Sequence, residues 1–166
     1  MTFKAERYNC RSVADYNLAG LSPKSFEQLV QSLAVRFIGA GALIFGAGPD
    51  GGREATFEGK MEYPSVADPW NGYLVVQAKF LQRPLGTTLD GDWALRELAK
   101  ELKKYGNRKR RKPQYYLFCT NAVLSSVEAV GHKDRAGKML SRISRRPPLR
   151  GYDIWDYDKI CALLVS

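Results

Sequence analysis

The chain has little of what histidine- or thiolate-based sites need. Its 166 residues include one histidine, His132, and three cysteines, none of them in CxxC spacing. A zinc site is therefore not expected, and the odd number of cysteines predicts reduced thiols. No apolar run reaches the ~18 residues that a membrane span needs, and Met1 to Arg11 lacks the apolar stretch of a secretory signal. These absences predict a cytoplasmic protein without a membrane segment.

The composition predicts one globular domain. With 45% hydrophobic and 26% charged residues, the chain has the balance of ordinary globular proteins, and it is long enough to bury a core without disulfides. We therefore expect a single domain over residues 1–166. The chain ends at Ser166, directly after a helical turn and without a capping glycine or polar tail. From this we expect an N-terminal fragment of a longer protein.

Positive charge is concentrated in the C-terminal part of the chain. Residues 1–99 contain 10 basic and 11 acidic side chains, whereas residues 100–166 contain 16 basic and 6 acidic ones. Such clusters favour a polyanion, because each cation placed on a phosphate releases a condensed counterion. A solvated loop without a partner is the alternative. The two basic foci are Lys103, Lys104, Arg108, Lys109, Arg110, Arg111 and Lys112, and then Arg142, Arg145, Arg146 and Arg150.

Hydrophobic periodicity predicts strands separated by helices. Helices are expected from Ser22-Pro23 to Phe37, from Asp90 to Tyr105, from Ser125 to Ile143 and after Asp156. Strands are expected at Ala42–Phe45, Arg53–Glu58, Gly72–Phe80, Gln114–Thr120 and Tyr152–Trp155, with loops over 46–52, 61–71, 106–113 and 145–151. This order predicts an α/β fold with a central mixed sheet that is flanked by helices.

Three polar residues are spaced as a metal site for phosphodiester hydrolysis requires. Gln77 and Lys79 lie two apart in the clearest strand, so both should project to one face, while Ala78 points the other way. Asp50 lies in the glycine-rich turn before the neighbouring strand. Oxygen ligands suit a hard cation such as Mg²⁺, and a nearby lysine can orient water or stabilise developing charge. The spacing therefore indicates a hydrolytic site.

The same residues carry a resemblance to a known superfamily. Pro49-Asp50 followed by Gln77-Ala78-Lys79 resembles the PD-(D/E)XK signature of restriction-endonuclease-like enzymes, in the Mrr-like branch, where glutamine often replaces the acidic residue. The stretch from Ser22 to Glu27 is similar to that family's opening LSPxxFE, and Gly48 to Glu54 resembles its GxDGG segment. The resemblance covers about residues 16–165. Domains with this glycine-rich segment also resemble the N-terminal effectors of bacterial antiviral STAND NTPases.

The resemblance implies a three-layer restriction-endonuclease-like fold and an endonuclease that depends on Mg²⁺, with Mn²⁺ as a substitute. Asp50, Gln77 and Lys79 would be catalytic, and Glu27 on the first helix would join Asp50 and Gln77 around the metal. Glu54 and Glu58 are further candidate ligands. Double-stranded DNA would be cut with weak sequence preference, in a bacterial anti-phage or restriction system that self-associates through a C-terminal NTPase or sensor module. The residues expected to contact DNA are Arg108, Lys109, Arg110, Arg111, Lys112, Arg145 and Arg146.

Other interpretations of the sequence remain open. Gly46 to Gly51 matches GxGxxG, but no amphipathic helix follows, so a tight turn is favoured over a dinucleotide site. His132 is expected on a helix surface rather than as a general base. Two other functions compete with the nuclease, namely a catalytically silent nucleic-acid-binding module and a protein-interaction domain whose basic face docks an acidic partner.

Overall fold

Helices and strands alternate along the part of the chain that the structure describes. This computed structural model covers residues 15–39, 46–47, 53–143 and 147–166. The helices are α1 (Pro23–Phe37), α2 (Thr88–Lys103), α3 (His132–Leu140) and α4 (Tyr157–Leu164), with 3₁₀ turns at Leu18–Gly20 and Lys104–Gly106. The strands are β1 (Gly46–Ala47), β2 (Arg53–Pro64), β3 (Pro69–Lys79), β4 (Tyr115–Thr120) and β5 (Gly151–Trp155).

The strands of this region form one mixed sheet in the order β1-β2-β3-β4-β5. The pairs β1–β2 and β2–β3 are antiparallel, whereas β3–β4 and β4–β5 are parallel. Each parallel pair is joined through a helix, α2 for the first and α3 for the second. Because such crossovers share one handedness, both helices lie on the same face of the sheet.

Two hydrophobic cores lie on opposite faces of the sheet, which confirms the expected α/β architecture. The first core joins α1 and α4 to one face through residues such as Phe26, Val76 and Ile160. The second joins α2 and α3 to the other face through residues such as Leu98, Phe118 and Leu140. The buried strands alternate between the two cores, as the pleat of a strand covered on both sides requires.

The β2–β3 hairpin is longer than expected, and the predicted loop over 61–71 is wrong. β2 continues to Pro64, and β3 begins at Pro69, with Pro64 paired opposite Pro69. Met61 and Tyr63 are buried, while Lys60 and Glu62 are exposed. This alternation is the strand signal that the two prolines obscured. Both prolines stand at the hairpin end, where a missing backbone donor does little harm.

The third helix is much shorter than the predicted span from Ser125 to Ile143. α3 begins at His132, after the N-cap residue Gly131, and ends at Leu140. Residues 125–131 form a loop in which Ala129 has a positive φ of 65°. The apolar residues Val127 and Val130 are both exposed in this loop. The late start of α3 matters for function because it determines the environment of His132.

Helix starts that depend on local capping agree with the expectation. The Ser22 hydroxyl accepts a hydrogen bond from the Ser25 amide at 3.0 Å, and Pro23 opens α1. The Asp156 carboxylate accepts one from the Lys159 amide at 3.2 Å at the start of α4. The predicted strand Ala42–Phe45 lies outside the described residues. Of the predicted 46–52 turn, Gly46 and Ala47 instead form β1.

No helix within the described residues combines the length and apolar character that a membrane crossing needs.

Candidate active site and nucleic-acid interface

Gln77 and Lys79 lie at the carboxyl end of β3, on the face that α2 covers. Val75, two residues earlier, packs in the α2–α3 core, and the Lys79 ammonium contacts α2. Strand periodicity therefore places Gln77, between them, on the same face. Ala78 belongs to the opposite core, as expected. Gln77 is 1% exposed, whereas the Lys79 side chain is 19% exposed, so Lys79 is the one of the two that solvent reaches.

The Lys79 ammonium is held by two carboxylates of α2. Its Nζ lies 2.5 Å from Glu101 Oε1 and 4.0 Å from Glu97 Oε2. The second oxygen of Glu101 lies 2.8 Å from the Lys104 ammonium, and Lys100 pairs with Glu97 at 2.6 Å. We call these five residues, Lys79, Glu97, Lys100, Glu101 and Lys104, the β3–α2 charge network. This network was not among the predicted sites, although two glutamates four apart on the helix after β3 were a signal of it.

Glu101 is the centre of this network and the most buried member. Burial works against its ionisation, but hydrogen bonds from Lys104 and Lys79 outweigh that effect, so the pKa of the Glu101 carboxyl is lowered. The carboxylate therefore stays charged at neutral pH, and it fixes the direction in which the Lys79 ammonium points. A lysine that is held in this way is a preorganised cation at the end of β3.

The β2–β3 register determines which acidic positions come near Gln77. Residue 54, a glutamate, stands directly opposite Gln77 in the antiparallel ladder. Paired positions belong to the same face of a sheet, so position 54 is the acidic position that the described backbone brings to Gln77. Asp50, a predicted member of the site, lies outside the described residues.

Glu27 approaches from the opposite helix layer. It is half-buried in the second turn of α1. The neighbouring Phe26 ring packs on Phe80, with centroids 5.5 Å apart, so the N-terminal part of α1 lies at the carboxyl end of β3. The structure therefore brings Glu27 to the same end of the strand as Lys79, although on the other side of the sheet.

The described side chains supply only part of a metal-ligand set. Within residues 15–39, 55–143 and 147–166, no three His, Cys, Asp or Glu side chains cluster in a way that could hold a metal ion. Gln77 offers an amide oxygen, which is a weaker ligand for a hard cation than a carboxylate. A complete set around Gln77 would need carboxylates from the segment before β2, where Asp50 lies.

Part of the predicted DNA-binding loop is engaged in contacts within the protein. The Arg111 guanidinium makes two hydrogen bonds to the Glu58 carboxylate, at 2.6 and 2.9 Å, and stacks 3.9 Å from the Tyr73 ring centroid. Arg110 lies 4.8 Å from the Tyr105 ring centroid. The bond from Arg111 lowers the pKa of Glu58, so Glu58 serves as an ion-pair partner here. The other cations of the loop, Arg108, Lys109 and Lys112, are exposed, and Arg145 and Arg146 lie outside the described residues.

No family model, curated protein or solved structure matches this chain. A functional assignment therefore depends on residues of this chain alone. The features that bear on it are the Gln77–Lys79 pair, the register of the hairpin, and the distribution of cations.

His132 is buried and hydrogen-bonded, so the expectation of a helix-surface histidine is wrong. The Ser125 amide donates to its Nδ1 at 3.2 Å, and its Nε2 lies 3.2 Å from Asp92 Oδ1. The hydrogen bond from His132, together with Arg135, lowers the pKa of Asp92. The imidazole also packs against Gly91, where an added Cβ would lie closer than 3.0 Å to ring atoms. His132 therefore joins α3 to α2, and a glycine in the first turn of α2 was the signal of that close approach.

Proposed function

We propose that this chain is a metal-dependent endodeoxyribonuclease with a restriction-endonuclease-like fold. The observation that carries the proposal is the placement of Gln77 and Lys79 on one face of β3, at the carboxyl end of the strand, with Gln77 paired to position 54 of the hairpin partner β2. An antiparallel hairpin that continues through α2 into the parallel strand β4, between two helix layers, agrees with that fold. The excess of basic residues after residue 100 supports a polyanionic substrate.

In this proposal Asp50 and the Gln77 amide would hold Mg²⁺, and position 54 is the further acidic position that the hairpin register offers. Glu27 lies at the same strand end but on the other side of the sheet from Gln77, so it is not assigned to the metal. The metal would supply a water of lowered pKa as the nucleophile. Lys79 would lie beside the scissile phosphate and stabilise the negative charge that develops there. When a phosphate draws the Lys79 ammonium away from Glu101, Lys104 still neutralises that carboxylate at 2.8 Å. The network thus allows Lys79 to change partners without leaving a buried charge unpaired.

A Lys79→Met variant tests the assignment. We expect plasmid cleavage in Mg²⁺ or Mn²⁺ to fall by roughly 10²-fold or more, because a positioned cation at the reacting phosphate is lost. Lys100→Met is the matched control, since Lys100 belongs to the same network but its side chain is 66% exposed and faces Glu97. Cleavage by Lys79→Met at the parental rate, with EDTA-sensitive activity in both proteins, would show that Lys79 is not part of the active site.

Gln77 can be tested by metal binding as well as by activity. Gln77→Glu adds a charged oxygen ligand, so we expect Mn²⁺ to bind at least as tightly and cleavage to be retained. Gln77→Ala should weaken both. Calorimetric titration with Mn²⁺ measures the affinities directly. Equal Mn²⁺ affinity in the parent and in Gln77→Ala would show that Gln77 does not contact the metal.

A catalytically silent nucleic-acid-binding module is the second candidate, and the Lys79–Glu101 ion pair favours it. A lysine bound at 2.5 Å to a buried carboxylate already has a structural partner. The two functions differ in one result. The silent module binds DNA and never cuts it in Mg²⁺ or Mn²⁺ at any protein concentration, while the nuclease cuts and loses activity with Asp50→Ala.

A further inference from the structure

A groove between α2 and α3 is lined by five cations and one carboxylate. α2 contributes Arg96 and Lys103, and α3 with its following turn contributes Arg135, Lys138 and Arg142. Only one carboxylate, that of Asp92, lines the same groove. Asp92 already has partners, because Arg135 lies 3.3 Å and His132 3.2 Å from its Oδ1. The groove therefore has a strong net positive charge.

Most of these cations are available to a ligand. Among the described residues, Arg96, Lys103 and Arg142 have no carboxylate within ion-pair distance, and all three are exposed. Lys138 makes one long hydrogen bond, 3.4 Å, to the Ala129 carbonyl. In the predicted DNA-binding loop, by comparison, Arg111 is paired with Glu58 and stacked on Tyr73, whereas Arg108, Lys109 and Lys112 are exposed.

The groove is long enough to follow several phosphates of a nucleic-acid backbone. It extends from Asp92 to Lys103 along α2, which at 1.5 Å per residue is about 16 Å. That length corresponds to roughly five nucleotide steps of 3.4 Å. The larger part encloses about 730 Å³ and is open to solvent, and the adjoining part encloses about 400 Å³. Cations on both sides can thus contact successive phosphates.

The floor of the groove argues against an apolar peptide as the ligand. Leu95 is 5% exposed, and Leu102, Met139 and Ile143 are half-buried in the core between the helices. The large apolar side chains that are exposed, such as Leu85, Leu89 and Val130, lie outside the groove. A helix docked by apolar anchors would find little surface to bury. A polyanion held by the rims fits better, and arginines suit phosphate because their forked donors can bind two oxygens.

We propose that the α2–α3 groove binds the phosphate backbone of double-stranded DNA. The proposal shares its ligand class with the nuclease function but does not require Gln77 or Lys79. Residues 92, 96, 99 and 103 form one stripe of α2, whereas Glu97 and Glu101, which hold Lys79, lie on another side of the helix. DNA bound in the groove is therefore bound apart from the residues proposed for cleavage.

The test compares two triple variants with the same change in charge. The groove variant carries Arg96→Gln, Lys138→Gln and Arg142→Gln. The control carries Lys24→Gln, Lys60→Gln and Lys159→Gln, three exposed cations on α1, β2 and α4. Binding to a short fluorescent DNA duplex is measured in EDTA by anisotropy over a range of salt concentrations. We expect the groove variant alone to bind roughly tenfold or more weakly, with a salt slope reduced by roughly 0.9 for each phosphate contact removed.

Each other outcome is also decisive. Equal binding by the groove variant and the control overturns the proposal. If the groove variant loses binding to polyglutamate but keeps duplex binding, the partner is an acidic protein segment and the proposal fails. The single variants Arg96→Gln and Arg142→Gln repeat the measurement if the triple variant unfolds.

Groove-dependent binding without any cleavage in Mn²⁺ would support the groove and refute the nuclease. Cleavage that depends on Lys79, with unchanged binding by the groove variant, would do the reverse.

Discussion

The two sides of α2 carry charge in different ways. On the β3 side, Lys79, Lys100 and Lys104 alternate with Glu97 and Glu101, and every cation has a carboxylate within 4.0 Å. On the α3 side, five cations line a groove with one carboxylate that is already paired. The ion pairs on the β3 side stabilise the fold and orient Lys79, whereas unpaired cations on the α3 side are available to bind an outside partner. One helix thus separates a structural charge network from a candidate binding surface.

The largest effect on stability is expected at the centre of the charge network. Glu101→Gln leaves Lys79 and Lys104 without their shared carboxylate, so we expect the free energy of unfolding to fall by about 2–3 kcal/mol. Glu97→Gln is the control. Its main partner, Lys100, is mostly exposed, and exposed pairs contribute about 1 kcal/mol or less. Urea denaturation measures both. Equal losses in the two variants would contradict the central role of Glu101.

The same residue predicts a pH dependence. Because the folded-state pKa of Glu101 is lowered, its contribution is present above the ordinary carboxyl pKa and is lost as the pH falls through the lowered value. The stability difference between the parent and Glu101→Gln should therefore disappear in acid.

The contribution of Asp156 to stability should depend on pH in the opposite direction. Burial raises the pKa of Asp156 despite nearby Lys133, so its favourable contribution is complete at low pH and decreases as the pH rises through the raised value. The deficit of Asp156→Asn should therefore be larger in acid than at neutral pH. Parallel pH profiles for Asp156→Asn and Glu101→Gln would contradict both assignments.

A smaller loss is expected where α3 meets α2. Gly91→Ala would bring a Cβ closer than 3.0 Å to the His132 ring, which Ser125 and Asp92 hold in place. Alanine normally favours a helix over glycine by about 1 kcal/mol. Here we expect a net destabilisation of about 1–2 kcal/mol, because overpacking outweighs that gain. In the control Gly106→Ala the added Cβ meets nothing within 4 Å. Thermal denaturation showing Gly91→Ala as stable as the parent would exclude the tight contact.

The smallest effect should come from the basic loop. Arg111→Gln removes an exposed ion pair with Glu58 and the stacking on Tyr73. We expect only a small loss of stability, because the ion pair is exposed to solvent. Its effect on duplex binding should be smaller than that of Arg142→Gln, since Arg111 already has partners in the protein. Anisotropy titrations of the two single variants compare them directly. A larger effect at Arg111 would show that DNA contacts the basic loop rather than the groove.

Local sequence features predicted the parts of the fold that depend on neighbouring residues. The start of α1 at Ser22-Pro23 and of α4 after Asp156 follow from caps within three residues. The common face of Gln77 and Lys79 follows from the two-residue period of a strand. The long hairpin could also have been read, because exposed and buried residues alternate from Lys60 to Tyr63. Pro64 and Pro69 obscure that alternation in the sequence, because proline is disfavoured inside strands.

Tertiary packing decided which distant residues meet. Glu101 reaches Lys79 across 22 residues and His132 reaches Asp92 across 40, and no local pattern specifies such pairs. The α2–α3 groove has the same origin, since Arg96 and Arg142 line one surface only because two crossover helices pack on the same face of the sheet. The sequence by itself determined the helix starts, the strand faces and the amount of positive charge. The folded chain decided which charges neutralise one another and which remain on the surface, because pairing depends on distances in space rather than on order along the chain.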